Sequence, residues 1–473
     1  MRRGYFSLSD LPAWCTLNDV SLGDVKVAAI NGQGNGLVAG KDLINEDNTA
    51  EPLNILTIPK ELVLSAENVA EYAKENVYFR RLLDAAGHQS TRKDILLFLL
   101  FQRVLSSPDY EGGQGPSTPW TQYFCLLPTQ VSTPTMWTEL ELSFLKGTSL
   151  ELAVSAKLAV LAKEFDDLRE NVADLPYWNE ILLTDESVTI SDWILLDALY
   201  RSRYLALPQF GQFMVPCLDL ANHSSKATAY FDESPKGGVS LYLRKGCVVP
   251  SGSEITINYG QDKSPAEMLF SYGFIDEDST SKKLVLPLRP LEDDPLAIPK
   301  LHAWDAQPKL ELSEDENGNP CWTAPFVYLM CLNEEDGLEF RLLQETDGSR
   351  HLKVFWQDID VTRTLSTIED LIQDHELHQV FELRAIMVVE NIIQQQLEQL
   401  EAHQDEESES EVWRAASHLI SLETSVLEKS QQALDEQRSK LLQDDTVMKY
   451  LGMMVPSQTD PSAEAANEEE DFS

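Results

Sequence analysis

The sequence predicts a mixed α+β fold, in which β-rich segments of short strands are split by a helical insertion and followed by an all-α C-terminal region. Two observations predict it. Short apolar runs alternate with turn residues in two separated segments, and apolar residues at helical spacing dominate between and after them. At 473 residues the chain is also long for a single core. The predicted divisions are a split domain over 1–290 (β-rich at about 1–60 and 213–290, helical insertion at about 60–212), a helical domain over 291–455 and a disordered acidic tail over 456–473.

The first β-rich segment is predicted from three short apolar runs. Apolar residues run from Val25 to Ile30, glycines follow, and another apolar run covers 37–39. Residues 53–59 form a further apolar run that ends at a proline, which is typical of a strand end.

The insertion is predicted to be helical because its apolar residues recur at helical spacing over 60–105 and again over 136–205. The stretch 95–101 is apolar on nearly every face, which predicts a buried helix. Between the two helical tracts, the Gly-, Ser- and Pro-rich residues 106–119 predict a loop.

After the second β-rich segment, helices are predicted to dominate from about residue 368. In the last long helix, apolar residues recur every seven positions, and we interpret this stripe as the core-facing side of a helix in a bundle or, alternatively, as a coiled-coil seam. The residues of the stripe are Trp413, Ile420, Leu427, Leu434 and Leu441.

The chain is strongly acidic, with 37 Lys and Arg against 78 Asp and Glu, a net charge of −41. Such a chain repels phosphate backbones and anionic membrane surfaces, which disfavours nucleic-acid and membrane partners. Two interpretations remain: a surface that keeps the protein soluble, or one that attracts a basic protein partner.

The cysteine pattern favours a reducing compartment. The six cysteines are scattered without a CxxC pair, which argues against a disulfide framework and a zinc knuckle. The longest apolar run has seven residues, where a membrane span needs about 18, and no signal peptide is recognisable. We therefore expect a cytoplasmic or nuclear protein, or one found in both, without a metal centre.

Four motifs contain residues suited to ligand binding. In 32–39 (GQGNGLVA), closely spaced glycines allow a backbone to approach a ligand, but the spacing fits no phosphate-binding loop, and a plain hairpin turn explains it equally well. In 251–260 (SGSEITINYG), strict alternation predicts a strand that directs Tyr259 inward. Tyr272-Gly273-Phe274 adds a second aromatic pair.

The fourth motif is 216–225 (PCLDLANHSS), which brings Asp219, Asn222 and His223 together. Asn222-His223-Ser224 matches a glycosylation sequon, but such a sequon has no function in an intracellular chain. A hydrolase triad is disfavoured because the base and the nucleophile would be adjacent in sequence. Two interpretations remain: a ligand pocket for an adenine or an amino-acid headgroup, and a polar turn without a ligand.

Taken in order, these motifs resemble those of the SET-domain protein lysine methyltransferases, in the branch of the plant Rubisco large-subunit methyltransferase and the fungal ribosomal-protein lysine methyltransferases. Further segments match that branch at 120–128, 144–151 and 198–207. The resemblance covers about 1–290. It implies the SET fold, a substrate-binding-type C-terminal domain, S-adenosylmethionine as cofactor and no metal.

The resemblance also implies residue roles. It assigns S-adenosylmethionine binding to one set of residues: Gln33, Gly34, Asn35, Arg203, Asn222, His223, Tyr272 and Phe274. It places Tyr259 at the methyl-transfer point as the catalytic residue that also contacts the substrate, and Asp219 near the substrate side. The sequence departs from the usual pattern at Ser253 and Pro265, where the branch has an acidic residue and an asparagine.

The function implied is methyl transfer to a lysine amine of a non-histone protein, basic or ribosomal-protein-like, by a monomeric enzyme. Two alternatives stay open. One is a histidine-directed protein methyltransferase, and the other is a catalytically inactive SET-like interaction scaffold.

Overall fold

The computed structural model describes residues 4–46, 52–109, 118–278, 281–344, 350–402 and 409–454. The chain divides into two compact units, Met1–Lys282 with Asp405–Ser421, and Lys283–Gln404 with Leu422–Ser473. The predicted acidic tail and most of the predicted loop at 106–119 lie outside the described residues. Among the helices that the structure describes, none combines the length and the apolar character of a membrane span.

Eleven strands are described in the first unit. Nine of them fall into the two predicted β-rich segments, while the strand at 205–207 and most of the strand at 211–213 lie in the predicted helical insertion. The eleven strands are β1 (Ser21–Leu22), β2 (Val25–Ile30), β3 (Gly34–Ala39), β4 (Leu43–Ile44), β5 (Asn54–Ile58), β6 (Leu205–Leu207), β7 (Gly211–Phe213), β8 (Ala229–Glu233), β9 (Val239–Leu243), β10 (Val248–Val249) and β11 (Glu254–Ile255).

Three of its sheets combine strands from both segments. The strand orders are β1-β5-β9-β8, β11-β3-β2 and β10-β4, while β6 and β7 form a hairpin of their own. In each mixed sheet the pairing between the two segments is antiparallel. The two ends of the insertion are therefore held together by backbone hydrogen bonds between strands far apart in sequence.

The helices of the first unit lie mainly in the insertion, as predicted. They are α1 (Leu11–Leu17), α2 (Ala66–Glu75), α3 (Val77–Ala86), α4 (Thr91–Leu105), α5 (Pro119–Phe124), α6 (Glu139–Ser143), α7 (Ser149–Asn171), α8 (Pro176–Asn179), α9 (Ile190–Arg203) and α10 (Pro265–Tyr272).

Helix α4 shows why the insertion is stable. Ser90 caps its start by accepting a hydrogen bond from the backbone N–H of Lys93 at 3.2 Å. The residues from Ile95 to Phe101 are all buried in the core that also holds the strands of the mixed sheets. The prediction of a helix buried on nearly every face is confirmed.

The second unit is mixed, not all-α, so that part of the predicted fold class is wrong. Its strands are β12 (Leu284–Pro287), β13 (Lys309–Glu314), β14 (Pro320–Thr323), β15 (Leu338–Gln344), β16 (Arg350–Trp356) and β17 (Ile359–Asp360). They form two three-stranded antiparallel sheets, β12-β13-β14 and β15-β16-β17.

The prediction missed these strands because they are short and only half-buried. In β13, Leu310 and Leu312 are buried and alternate with partly exposed polar residues, which is a period-two pattern. Strand β15 pairs with β16 from Leu338↔Trp356 to Gln344↔Arg350. The alternation was present in the sequence, but the helical tracts that follow dominated the prediction.

Helices make up the rest of the second unit: α11 (Ala297–Ala303), α12 (Pro325–Cys331), α13 (Ile368–Ile372), α14 (His378–Ala402), α15 (Glu411–Leu441) and α16 (Asp445–Met454). The division between the units falls within α15. Of the predicted heptad stripe, Leu427 and Leu434 are buried.

Candidate functional site

Two segments of the first unit that lie far apart in sequence run side by side and form the centre of the site. The N–H of Ile257 donates to the carbonyl of Asn222 at 2.9 Å, and the N–H of Ser224 donates to the carbonyl of Ile257 at 3.0 Å. His223 and Ile257 form the corresponding parallel bridge. The predicted Asn222-His223 pair is thereby fixed beside the segment that ends at Tyr259.

Tyr259 is directed inward, as its place in the alternating pattern predicted. Its hydroxyl donates to the carbonyl oxygen of Ala221 at 2.9 Å, and its ring centroid lies 4.6 Å from that of Tyr272. Burial raises the pKa of Tyr259 to about 12. The side chain is therefore a neutral phenol at neutral pH, with its proton already donated to a fixed acceptor.

His223 contacts three parts of the site through one ring. Its Nδ1 accepts a hydrogen bond from the backbone N–H of Tyr259 at 3.1 Å, and its Nε2 lies 3.0 Å from Oδ2 of Asp276. Its ring centroid is 5.9 Å from that of Phe274. The side chain is only 5% exposed, so these contacts take place away from bulk water.

Asn222 is oriented by Glu254, because its Nδ2 donates to Oε1 of Glu254 at 2.7 Å. Gly36 of β3 lies directly against this pair. A Cβ at Gly36 would stand 2.9 Å from Nδ2 of Asn222, 2.8 Å from Oε1 of Glu254 and 2.6 Å from Cγ1 of Ile30. Only glycine allows this close approach, which joins the β2–β3 hairpin to the Asn222 segment.

The glycine-rich turn is a β-hairpin turn, since β2 and β3 pair up to Ile30↔Gly34. Gly34 has φ +78°, and nothing stands within 4 Å of where its Cβ would be. The hairpin interpretation is therefore correct, and it does not exclude ligand contact, because the turn has open space beside it. The predicted cofactor contacts of Gln33, Gly34 and Asn35 stay predictions.

Arg203, at the end of α9, is tied to Asp219. Its Nη1 donates to the backbone carbonyl of Asp219 at 2.8 Å and to Oδ2 at 3.0 Å. The hydroxyl of Tyr123 donates to the other carboxylate oxygen of Asp219. Within the described part of the chain, the buried Nε of Arg203 has no hydrogen-bond partner.

Asp219 is thus buried within the protein, with its side chain only 1% exposed. Burial raises the pKa of its carboxyl, while Arg203 and Tyr123 oppose that shift. The carboxylate is already shared between these two side chains. Its predicted contact with a substrate stays a prediction, and the structure shows it holding Arg203 and Tyr123 in place.

Tyr272 and Phe274 lie at the end of α10, separated by the left-handed C-cap Gly273. The hydroxyl of Tyr272 lies 3.4 Å from the carbonyl of Tyr259, and the Tyr272 and Phe274 centroids are 6.3 Å apart. Gly273 has φ +85°, and a Cβ there would meet the backbone of Ser132 at 2.6 Å. A glycine is therefore required for both aromatic side chains to reach the site.

The structure brings most of the predicted residues together and adds three that sequence reasoning missed as partners. Glu254 was recognised only as one face of a strand, Tyr123 only as part of a matching segment, and Asp276 was not considered. Glu254 and Asp276 bond to side chains 32 and 53 residues away, and Tyr123 to one 96 residues away. No local pattern signals such partners.

Comparisons with known proteins agree with this geometry. The chain is 28% identical over 440 residues to SET domain-containing protein 8 of Schizosaccharomyces pombe, covering 90% of this chain and 94% of that protein. It is also 29% identical over 286 residues to the chloroplastic Rubisco large-subunit N-methyltransferase of Pisum sativum, covering 58% of this chain and 52% of that protein. The chain is thus similar in sequence both to a SET-domain protein and to a protein methyltransferase. No protein-family model matches it.

The fold of the chain matches a crystal structure of the SET domain of LSMT bound to lysine and AdoHcy. The TM-score is 0.67 at 21% identity, and 96% of each chain is covered. This match confirms the predicted mixed fold of the SET type.

Among other relatives, an actin-histidine N-methyltransferase of Xenopus tropicalis is 23% identical over 381 residues, covering 76% of this chain and 60% of that protein. The named targets of these relatives therefore differ, since one name specifies a histidine of actin and another the large subunit of Rubisco.

Proposed function

We propose that the chain is a SET-domain methyltransferase, which transfers a methyl group from S-adenosylmethionine to a lysine side-chain amine of a basic, non-histone protein, such as a ribosomal protein. The observation that carries the proposal is Tyr259, a buried neutral phenol in contact with the Asn222-His223 segment and with the ring of Tyr272. These are the positions at which the sequence resembles the lysine methyltransferases.

The residues present fit S-adenosylmethionine. The buried Nε of Arg203 has no partner among the described residues, so it is free to donate to an acceptor of a ligand. The close approach at Gly36 leaves no room for a side chain between the hairpin and Asn222. Next to Gly36, the turn that contains Gly34 has open space beside it, which leaves room for a ligand.

Eight residues are proposed to hold the cofactor. They are Gln33, Gly34, Asn35, Arg203, Asn222, His223, Tyr272 and Phe274. When bound, S-adenosylmethionine supplies an electrophilic methyl group on a positively charged sulfur.

Tyr259 is proposed to orient the amine of the substrate. With its proton donated to Ala221, the phenol oxygen keeps lone pairs that can accept a hydrogen bond from an amine. A pKa of about 12 leaves the phenol neutral at neutral pH, so Tyr259 carries no negative charge with which to remove a proton. Its contribution is positioning and electrostatic.

The aromatic surroundings favour the reactive form of a lysine. Only the neutral amine is a nucleophile, and a free lysine with a pKa of ~10.4 must lose its proton at a cost of about 4.6 kcal/mol at pH 7. The rings of Tyr259, Tyr272 and Phe274 replace water at this place and disfavour the charged form of a bound amine.

The acidic character of the chain supports a basic protein as substrate. A net charge of −41 raises the local concentration of a lysine-rich protein and slows the approach of other acidic proteins. We propose that the enzyme acts as a monomer in the cytoplasm, the nucleus or both, without nucleic-acid or membrane partners. Gel filtration and cell fractionation test these points.

The proposal is tested by incubating the purified protein with methyl-tritiated S-adenosylmethionine and a heat-treated cell extract. We expect a labelled protein band with the wild-type chain and a loss of label of at least about 100-fold with Tyr259→Phe, since an orienting group of this kind contributes on the order of 10² in rate.

The matched control is Tyr230→Phe. Tyr230 lies on β8, where its ring stacks on Tyr242 at 5.6 Å, and it takes no part in the site. This variant should label the same band at the wild-type rate. Full activity of Tyr259→Phe, or equal loss in both variants, rules out the assigned role of Tyr259.

Histidine is the second candidate acceptor, because an actin-histidine N-methyltransferase is among the relatives. An imidazole is largely neutral at pH 7 and needs no costly deprotonation to act as a nucleophile. The nature of the methylated residue in the labelled band decides between the two acceptors.

A further inference from the structure

Asp276 is the only carboxylate that the structure shows within hydrogen-bond distance of His223, among the described residues. It lies four residues after the end of α10, just beyond Phe274. Its Oδ2 is 3.0 Å from Nε2 of His223, and its side chain is 14% exposed. Its other oxygen accepts the backbone N–H of Asp278 at 3.0 Å, which fixes the carboxylate in the turn.

The two partners of the imidazole determine where its proton lies. At neutral pH a carboxylate only accepts hydrogen bonds, so Nε2 of His223 must carry the proton that it donates to Asp276. The backbone N–H of Tyr259 only donates, so Nδ1 must be unprotonated. The neutral Nε2–H tautomer alone satisfies both partners, and a doubly protonated ring would place an N–H against the N–H of Tyr259.

The same ring connects three segments of the site. His223 belongs to the Asn222 segment, Tyr259 to the segment after β11, and Asp276 to the turn that carries Phe274. We propose that Asp276 is a positioning residue, which holds the His223 imidazole in the Nε2–H tautomer and thereby fixes the backbone of Tyr259 for methyl transfer. This inference rests on the proposed function and adds a residue to it.

Two substitutions that introduce side chains of similar shape distinguish the effect of the hydrogen bond from the effect of packing. Asp276→Asn keeps one oxygen for the two donors that Asp276 now binds, Nε2–H of His223 and the N–H of Asp278, whereas Asp276→Leu has the same branched outline and no acceptor. The matched control is Asp278→Asn, two residues further on. Its side chain is 67% exposed and lies 3.4 Å from Nζ of Lys226, which is itself 80% exposed.

The rate is measured as initial methyl transfer to a fixed amount of heat-treated extract while S-adenosylmethionine is varied. Because one buried hydrogen bond is lost, we expect Asp276→Leu to lower the maximal rate about tenfold. Because His223 is also among the residues proposed to hold the cofactor, the KM for S-adenosylmethionine should rise as well, but by a smaller factor than the fall in the maximal rate. Asp276→Asn, which can keep one of the two hydrogen bonds, should have a rate between those of Asp276→Leu and the wild type, and Asp278→Asn should match the wild type.

A second measurement does not depend on activity. In protein labelled with ¹⁵N-histidine, the His223 signals, identified by their loss in His223→Gln, should show a protonated Nε2 and an unprotonated Nδ1. In Asp276→Leu the proton on Nε2 loses its acceptor, so the Nε2 signal should shift, while the N–H of Tyr259 still favours an unprotonated Nδ1. Thermal unfolding of each variant establishes whether it is folded.

The proposal is overturned if His223 carries its proton on Nδ1, if Asp276→Leu is folded and fully active, or if Asp276→Asn loses as much rate as Asp276→Leu. These outcomes can be distinguished experimentally from a failure of the proposed function. If the wild-type protein labels no band at all, the methyltransferase proposal fails, while the tautomer of His223 still tests the link.

Discussion

At the scale of single residues, the site is defined by contacts that leave little freedom. The phenol of Tyr259, the imidazole of His223 and the amide of Asn222 each have a fixed partner on another segment. The sequence motifs predicted these three residues. Their partners Asp276 and Glu254 could not be predicted, because their hydrogen bonds depend on how distant segments meet.

Gly36 provides a test of this close packing. In Gly36→Ala the new methyl group would stand under 3 Å from Ile30, Glu254 and Asn222, so the Asn222 amide must move. We expect at least about a tenfold loss of affinity for S-adenosylmethionine in isothermal titration, the cost of roughly one displaced hydrogen bond.

Gly452 is the control for that substitution. It lies in α16, and nothing stands within 4 Å of where its Cβ would be. Gly452→Ala should therefore bind the cofactor like the wild type. Unchanged binding by Gly36→Ala would show that Asn222 does not need its observed orientation.

At the scale of secondary-structure elements, buried charges connect the helices of the insertion. The carboxylate of Asp197 on α9 lies 2.6 Å from Nη2 of Arg92 on α4 and 3.0 Å from Nζ of Lys157 on α7. Arg201, one turn further along α9, lies 3.4 Å from the same carboxylate. The side chain of Asp197 is 1% exposed, so its negative charge compensates three cations away from water.

Asp197→Asn should destabilise the protein strongly, because it removes the buried carboxylate that Lys157 and Arg201 face, while Arg92 keeps its pair with Glu164 at 2.7 Å. We expect a loss of about 3 kcal/mol in the free energy of unfolding, measured by urea denaturation. Asp24→Asn is the matched control. Asp24 forms an exposed pair with Lys41 at 2.7 Å, and its loss should cost less than about 1 kcal/mol. Equal effects in both variants would contradict the structural role of Asp197.

The carboxyl group of Asp197 also determines part of the pH dependence of the free energy of unfolding. Burial alone would raise the pKa of Asp197, but Lys157, Arg92 and Arg201 outweigh it and hold that pKa below its usual value. A lowered folded-state pKa adds stability above the unfolded value of ~3.9, and this stability is lost as the pH falls through the folded value. The decline between about pH 5 and 3 should be shallower in Asp197→Asn.

Elements differ in how well sequence predicts them. Helix α4 was predicted well because its apolar run, its cap and its buried surroundings all agree. Strands β12 to β17 were missed because each is short and only half-buried, so their alternation is weak beside the long helices that follow. The pairing of β3 with β11, more than two hundred residues apart, follows from tertiary contacts alone.

At the scale of the whole molecule, the dominant feature is the net charge of −41. If this charge attracts a basic substrate, salt should weaken binding. Raising the salt concentration from ~0.02 to ~0.3 M shortens the screening length from about 20 Å to about 6 Å, and the apparent KM for the protein substrate should rise several-fold. The KM for S-adenosylmethionine, measured in the same series, is the control. An unchanged protein KM would assign the charge to solubility alone.

The central claim is that the site methylates a lysine. It is tested most directly by mass spectrometry of the protein that this enzyme labels in a cell extract, with the modified peptide sequenced. We predict methyllysine, present with the wild-type enzyme and absent with Tyr259→Phe. Methylhistidine in that peptide, or no methylated residue, would contradict the account.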